Sequence, residues 1–228
     1  MRQKILTEKQ ELLISHLPEE IQKNFYLTGG TALSAFYLGH RLSEDIDFFT
    51  DAEEKMAPIE FLTGIIRSLP SLDHLHFERL FDRRIFVATF QDNQVLKVEF
   101  TSYPFKSLED RLKIGKLTVD SLLNLVTGKL FAMADRFDPK DFVDLYFVLK
   151  KKGLKLENLV KLTEERFEVK GLEFVIPERL LLVDRIAPKD LPVMVEKMNL
   201  DEMRGYFLQE AKRLVKLLRE GQIDQSIL

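Results

Sequence analysis

The chain has 228 residues, of which 45% are hydrophobic and 31% charged, and its formal net charge is −3. This length and apolar content allow a sizeable buried core, and the mixed charge argues against a uniformly basic nucleic-acid binder. The absence of cysteine excludes disulfides, thiolate catalysis and cysteine-based zinc sites. No apolar run approaches about 18 residues, and residues 1–4 lack the start of a secretory signal. We therefore expect a cytoplasmic protein without a membrane span.

The first hundred residues predict short helices and strands. Thr7 and Gln10 have the spacing of a capping box at the start of a helix, and the glycine pair Gly29 and Gly30 permits a tight turn after a β-prone run. Helical periodicity predicts helices over residues 7–17, 19–24, 31–38 and 58–69. β-prone runs, several with apolar and polar residues alternating, predict strands over residues 25–27, 45–50, 74–80, 84–90 and 95–101. Short polar breaks between the last three strands favour an antiparallel meander.

From about residue 118 the pattern becomes helical. Asp138 and Pro139 are typical of the N-cap and first turn of a helix. The predicted helices cover residues 119–136, 139–151, 156–167, 177–184, 189–198 and 201–220. We expect an α/β domain over residues 1–117 and a helical domain over residues 118–228 that completes a cleft. The predicted fold class is α+β, with a mixed or antiparallel sheet flanked by helices and a C-terminal helical region.

Two carboxylates on one predicted strand indicate a metal site. Strand side chains alternate between faces, so Asp45 and Asp47 point the same way, about 6.6 Å apart at ~3.3 Å per residue. Such carboxylates repel each other unless a cation lies between them, and a pair of Mg²⁺ ions would convert repulsion into binding. Glu99, on a later strand, is the candidate third acid. Alternatively, Asp-x-Asp is a common pair at strand ends, and Glu99 is a solvated strand residue.

The glycine turn predicts an anion site beside these carboxylates. Backbone N–H groups of Gly30 and Thr31 at the start of a helix can bind phosphate. Arg41 and Ser43, just before the acidic strand, can reach the same anion. A metal on one side and a helix N-terminus on the other indicate a triphosphate site, where phosphoryl transfer depends mainly on positioning. Taken alone, a glycine pair before a helix is usually only a turn.

These residues resemble a known superfamily. Residues 29–33, the pattern Arg41-x-Ser43-x-Asp45-Ile46-Asp47 and the later strand acid resemble the nucleotidyltransferases of the polymerase-β-like fold. Lys129 and a later segment, residues 136–146, are more narrowly similar to the AbiEii-type nucleotidyltransferases, the toxins of abortive-infection and type IV toxin–antitoxin systems. The resemblance covers about residues 25–150.

The resemblance implies Mg²⁺-dependent transfer, with Mn²⁺ as an alternative cofactor, of a nucleotide from a nucleoside triphosphate to RNA, such as a tRNA 3′ end, or to a protein hydroxyl. It also implies a cognate antitoxin. Asp45, Asp47 and Glu99 would be the catalytic metal ligands, although aspartate is common at the third position. The implied nucleotide-binding residues are Gly29, Gly30, Thr31, Arg41, Ser43, Lys129, Asp141 and Asp144.

Simpler structural roles remain open for the residues of the helical half. Lys129 can extend its stem along an apolar stretch, Asp141 can stabilise a helix N-terminus, and Asp144 can pair with Lys140. Two other functions are also open: a non-catalytic nucleotide-binding module of the same fold, and a phosphohydrolase that uses the same carboxylates.

Overall fold

The computed structural model describes residues 5–221, which divide into two units. The first unit extends to Phe105 and includes Asp110–Ser121, and the second comprises Lys106–Glu109 and the residues from Leu122 onward. Residues 1–4, where no secretory signal was predicted, lie outside the described part. Among residues 5–221, no helix combines the length and apolar character needed to cross a bilayer.

The helices of the first unit follow the predicted pattern. The capping box is confirmed, because the Thr7 side chain accepts from the Gln10 N–H at 3.2 Å and the Gln10 side chain accepts from the Thr7 N–H at 2.9 Å. The helix predicted over residues 31–38 begins two residues earlier, at Gly29, continues in a wider π-helical form over Leu33–Leu38, and ends at Gly39 in the left-handed conformation. The helices are α1 (Glu8–His16), α2 (Glu19–Asn24), α3 (Gly29–Ala32) with its π-helical extension, and α4 (Ile59–Arg67).

Seven strands within residues 5–221 form one mixed sheet. They are β1 (Tyr26–Thr28), β2 (Asp45–Thr50), β3 (Leu72–Leu80), β4 (Arg83–Phe90), β5 (Val95–Ser102), β6 (Leu112–Ile114) and β7 (Leu117–Val119). Their order in the sheet is β3-β4-β5-β2-β1-β7-β6. Strands β3, β4 and β5 are the predicted antiparallel meander, whereas β2 pairs parallel with β5 and β1 pairs parallel with β7. The mixed sheet with flanking helices confirms the predicted fold class.

One face of the central strands carries the core of this unit. Ile46 and Phe48 on β2 and Val98 and Phe100 on β5 are almost completely buried. The rings of Phe48 and Phe100 stack with their centroids 5.4 Å apart. Burying these side chains holds β2 and β5 in register, and the period of two along a strand then directs the intervening polar residues to the opposite face.

The second unit is helical, with two corrections to the predicted helices. The helix predicted from residue 177 begins at Leu172, so Pro177 lies inside it. The helix predicted over residues 189–198 is wrong: only the short 3₁₀ turn Pro188–Asp190 forms, because Pro192 lacks an N–H and disfavours a helical residue before it. The helices are α5 (Leu122–Asp135), α6 (Pro139–Lys152), α7 (Leu156–Phe167), α8 (Leu172–Leu180) and α9 (Leu200–Arg219).

The start of α5 is also later than predicted. The sequence pattern began this helix at Val119, but Val119 ends β7 and pairs with Leu112 of β6 in a small hairpin. The turn of the hairpin contains Gly115 with a φ of +60°. This single glycine is the local signal for the hairpin, and it is weaker than the apolar helical pattern that follows it.

Candidate active site

Asp45 and Asp47 share one face of β2. Half-buried and buried residues alternate along the strand, so both carboxylates lie opposite the core residues Ile46 and Phe48. Asp47 aligns with Thr28 of β1 on one side and with Glu99 of β5 on the other. The strand and the shared face are therefore as predicted. The binding of a metal by these residues stays a prediction.

The glycine turn lies directly against one of these carboxylates. Gly29 has a φ of +70°, and a Cβ atom built on it would lie 2.1 Å from Oδ2 of Asp47. No side chain fits this space, and the left-handed backbone also disfavours other residues. Gly29 is thus required both by its conformation and by the approach of the Asp47 carboxylate.

Gly30 is covered by the loop that precedes β2. A Cβ atom on Gly30 would lie 2.5 Å from Nη2 of Arg41 and 3.1 Å from Oγ of Ser43. Arg41 is only 2% exposed, and its Nη1 donates to the Leu42 carbonyl at 2.9 Å. The structure thus brings Arg41 and Ser43 to the glycine turn, as the sequence order predicted. Their contact with phosphate stays a prediction.

Two side chains hold the start of β2 in place. The Thr31 hydroxyl donates to the Asp45 carbonyl, so this hydroxyl ties α3 to the strand. The buried Gln10 amide donates to the carbonyls of Ser43 at 2.8 Å and Asp45 at 3.2 Å. Sequence reasoning missed this role of Gln10, because the capping box accounted for its side chain locally.

Glu99 lies beside Asp47 but is engaged by another partner. Its carboxylate accepts from Nε and Nη2 of Arg83 at 2.6 and 2.5 Å, and from the Thr101 hydroxyl at 2.7 Å. The hydrogen bond to Glu99, reinforced by the negative charges of Glu99 and Asp47, raises the pKa of Arg83 above its ordinary value despite partial burial. The role of Glu99 as a third metal ligand stays a prediction.

Asp120 is a buried carboxylate that sequence reasoning missed. It accepts from the Thr28 hydroxyl at 3.0 Å and from the Ser121 N–H at 3.1 Å. Arg111 lies 3.4 Å from it and also binds Asp51 through two hydrogen bonds of 2.7 and 2.6 Å. Asp120 thereby fixes Thr28, the residue immediately before the glycine turn. Asp120 was not identified from the sequence, because the hairpin that places it at the end of β7 was not predicted.

The predicted residues of the second unit form one ion-pair cluster. Nζ of Lys129 lies 2.7 Å from Asp141 and 2.9 Å from Asp144, and both aspartates are fully buried. Arg136 lies 3.2 Å from Asp141. The structure therefore pairs Asp144 with Lys129. The sequence spacing had also allowed a pair between Asp144 and Lys140. The Lys129 ammonium group thus contacts two carboxylates.

The family follows from a comparison of the whole chain with known proteins. The model for the nucleotidyltransferase AbiEii toxin of type IV toxin–antitoxin systems matches residues 13–220. The chain belongs to the AbiEii family. It is accordingly a nucleotidyltransferase, as the resemblance implied. An uncharacterized protein of Aquifex aeolicus is 28% identical over 215 residues, which cover 93% of this chain and 98% of that protein.

Solved structures agree with this AbiEii fold. JHP933 from Helicobacter pylori is 20% identical with a TM-score of 0.61, covering 95% of this chain and 96% of that chain. The nucleotidyltransferase toxin MenT4 from Mycobacterium tuberculosis is 16% identical with a TM-score of 0.55, covering 95% of this chain and 88% of that chain. These similarities show the shared fold.

The AbiEii family implies a divalent metal, because nucleotidyltransferases generally use one. Within residues 5–221, no group of three or more His, Cys, Asp or Glu side chains is arranged to hold a metal ion. The pair Asp45 and Asp47 nevertheless fits Mg²⁺, which is often held by one or two carboxylates together with substrate phosphates and water. The donor set therefore suits a cation that binds together with a nucleotide.

Proposed function

We propose that this AbiEii protein transfers a nucleoside monophosphate from a nucleoside triphosphate to an acceptor hydroxyl, with Mg²⁺ or Mn²⁺ as cofactor. The close approach of Gly29 to Asp47 carries the proposal. Because the Asp47 carboxylate lies against the glycine turn, an anion at the turn and a cation at the carboxylates would be neighbours. A metal-bound triphosphate has this distribution of charge.

The chain's own residues have distinct roles in this reaction. Backbone N–H groups of Gly30 and Thr31 at the start of α3 would orient the phosphates, and Arg41 and Ser43 would supply further donors. Asp45 and Asp47 would hold the cation, which when bound supplies charge neutralisation and activates the acceptor hydroxyl. The acceptor oxygen forms a bond to the α-phosphorus and its proton passes to solvent, while the bond from the α-phosphorus to the bridging oxygen breaks and pyrophosphate leaves.

Lys129, Asp141 and Asp144 are proposed to contact the nucleotide on the strength of the family resemblance. In the described cluster, the Lys129 ammonium group is already bound by both carboxylates. A lysine ammonium group carries three N–H donors, and to bind a phosphate it would direct one of them to the ligand.

The proposed partners follow from the family. The acceptor is an RNA, such as a tRNA 3′ end, or a protein hydroxyl, and the protein acts as a toxin with a cognate antitoxin in the cytoplasm. Membership in a family of type IV toxin–antitoxin systems supports the antitoxin, and the similarity to MenT4, a nucleotidyltransferase toxin, supports the toxin role.

The test is incorporation of label from each of four α-³²P nucleoside triphosphates into total RNA or total protein in the presence of Mg²⁺. We expect Asp45→Asn and Asp47→Asn each to lower the initial rate by at least about 100-fold. Asp51→Asn is the matched control, because Asp51 pairs with Arg111 just after β2. Transfer that survives the double substitution of Asp45 and Asp47 would refute the mechanism.

Calorimetry and the analysis of released products separate the two alternative functions. A nucleotide-binding module would bind nucleotide in a calorimetric titration and release no pyrophosphate. A phosphohydrolase would release phosphate or pyrophosphate without labelling any acceptor. Chelation of divalent ions should stop transfer, and added Mg²⁺ or Mn²⁺ should restore it.

A further inference from the structure

The third acid next to the carboxylate pair is held in a bidentate ion pair. Nε and Nη2 of Arg83 on β4 donate to the two oxygens of Glu99 on β5 at 2.6 and 2.5 Å. The Glu99 side chain is only 6% exposed, whereas that of Arg83 is 43% exposed. A planar guanidinium that donates two parallel hydrogen bonds fixes the orientation of the carboxylate and also neutralises its charge.

Both oxygens of Glu99 have protein partners on the face of the sheet that carries Asp47. Oε1 accepts from Arg83 and also from the Thr101 hydroxyl at 2.7 Å, and Oε2 accepts from Arg83. Glu99 aligns with Asp47 across the parallel pair β2–β5.

A metal ion would compete with these contacts for the same oxygens. To ligate a cation, Glu99 would have to leave a charge-assisted bidentate pair and a hydroxyl donor. The Arg83 guanidinium would then lie unpaired beside an incoming positive charge. Asp45 has a weaker competing contact, since Nζ of Lys97 lies 3.5 Å from Oδ2 of Asp45 and both side chains are partly exposed.

We propose that Arg83 is a positioning residue that keeps Glu99 out of the metal ligand set, so that Asp45 and Asp47 alone supply protein carboxylates to the divalent cation. This inference rests on the proposed function. The number of charged ligands sets the affinity of an oxygen site for divalent ions. Two carboxylates bind the free ion weakly, and the cation enters mainly with the triphosphate.

The test measures binding of Mn²⁺ alone to the full chain, from the electron paramagnetic resonance signal of free Mn²⁺, without nucleotide. We expect Asp45→Asn to raise the Mn²⁺ dissociation constant more than tenfold. Arg83→Gln should lower it more than threefold, because it releases a carboxylate beside Asp47. An Arg83→Gln variant that binds Mn²⁺ no more than threefold more tightly than the wild type overturns the proposal.

Two further variants keep the test decisive if Arg83→Gln fails to fold. Removing the guanidinium leaves Glu99 buried and unpaired, which is strongly destabilising. The double variant Arg83→Gln with Glu99→Gln removes both charges and should bind Mn²⁺ within threefold of the wild type, whereas a larger change overturns the proposal. Arg84→Gln is the matched control, because Arg84 lies on the other face of β4 and donates to the Ala57 carbonyl.

The outcomes also separate this inference from the proposed function. If Asp45→Asn leaves nucleotidyl transfer and Mn²⁺ binding intact, the proposed function itself fails. If Asp45→Asn abolishes both while the double variant Arg83→Gln with Glu99→Gln weakens Mn²⁺ binding more than threefold, the proposed function stands and the role of Arg83 is refuted.

Discussion

Substituting Gly29 by alanine should separate backbone strain from damage to the active site. The added Cβ would lie 2.1 Å from Oδ2 of Asp47, whereas real Cβ contacts essentially never fall below 3.0 Å. The carboxylate or the turn must therefore retreat by about 1 Å, and a misplacement of about 1 Å in a catalytic group can cost about 100-fold in rate. We expect Gly29→Ala to lower kcat/KM for nucleotide transfer by about 100-fold.

Gly39→Ala is the matched control for this substitution. Gly39 has a φ of +65°, close to that of Gly29, but nothing lies within 4 Å of a Cβ built on it. Both variants lose about 1–2 kcal/mol of stability to the left-handed backbone, which corresponds to a fall in Tm of roughly 2–8 °C for a chain of this size. The loss of activity should be specific to Gly29→Ala.

The assay compares initial rates of label incorporation for the two variants at a temperature at which circular dichroism shows both to be folded. If Gly29→Ala retains activity within threefold of Gly39→Ala, the reasoning is refuted. That result would mean that the position of the Asp47 carboxylate against the turn does not matter for transfer.

Three further predictions concern stability, measured by urea unfolding. Burial, with a hydrogen bond to Glu173, raises the pKa of Glu164 to about 7, so the stability contributed by its protonated carboxyl is complete below about pH 4.5 and is lost as the pH rises through 7. This loss between pH 5 and pH 8 is about 1 kcal/mol or less after solvent screening. Glu164→Gln should remove it, and an unchanged pH dependence of the unfolding free energy would contradict the prediction. Lys129→Met should cost about 3–5 kcal/mol, because it removes the ammonium group that lies 2.7 and 2.9 Å from two buried carboxylates; a cost below about 1 kcal/mol would argue against the buried cluster. Thr28→Val should cost about 1–3 kcal/mol by removing the hydroxyl that donates to the buried Asp120, whereas Thr28→Ser should restore most of it.

Structural features that depend on a few neighbouring residues could be predicted from the sequence. The alternation along residues 45–50 predicted the strand and the shared face of Asp45 and Asp47, because the period of two is a property of any β-strand. The capping box of Thr7 and Gln10 and the glycine turn are equally local. The approach of Arg41 and Ser43 to the turn followed from the short chain segment that links them to it.

Partners that are distant in sequence could not be predicted. Glu99 was expected to face Asp47 as a third acid, and it does align with Asp47. Only the pairing of β4 with β5 brings Arg83 to its carboxylate, and nothing near Glu99 in the sequence indicates that choice. Asp120 reaches Thr28 because β7 pairs with β1 across about ninety residues, and a hairpin marked by one glycine gave too weak a signal.

The sequence by itself therefore determined the strand, the glycine turn, the carboxylate pair and, through their order, the family. These depend on backbone conformation and on periodicity, which act over a few residues. The tertiary structure alone decided which charges are neutralised: Glu99 by Arg83, and Asp141 and Asp144 by Lys129. The physical reason is that a buried carboxylate needs a cation or donors within hydrogen-bonding distance, and the packing of strands and helices selects which one is there.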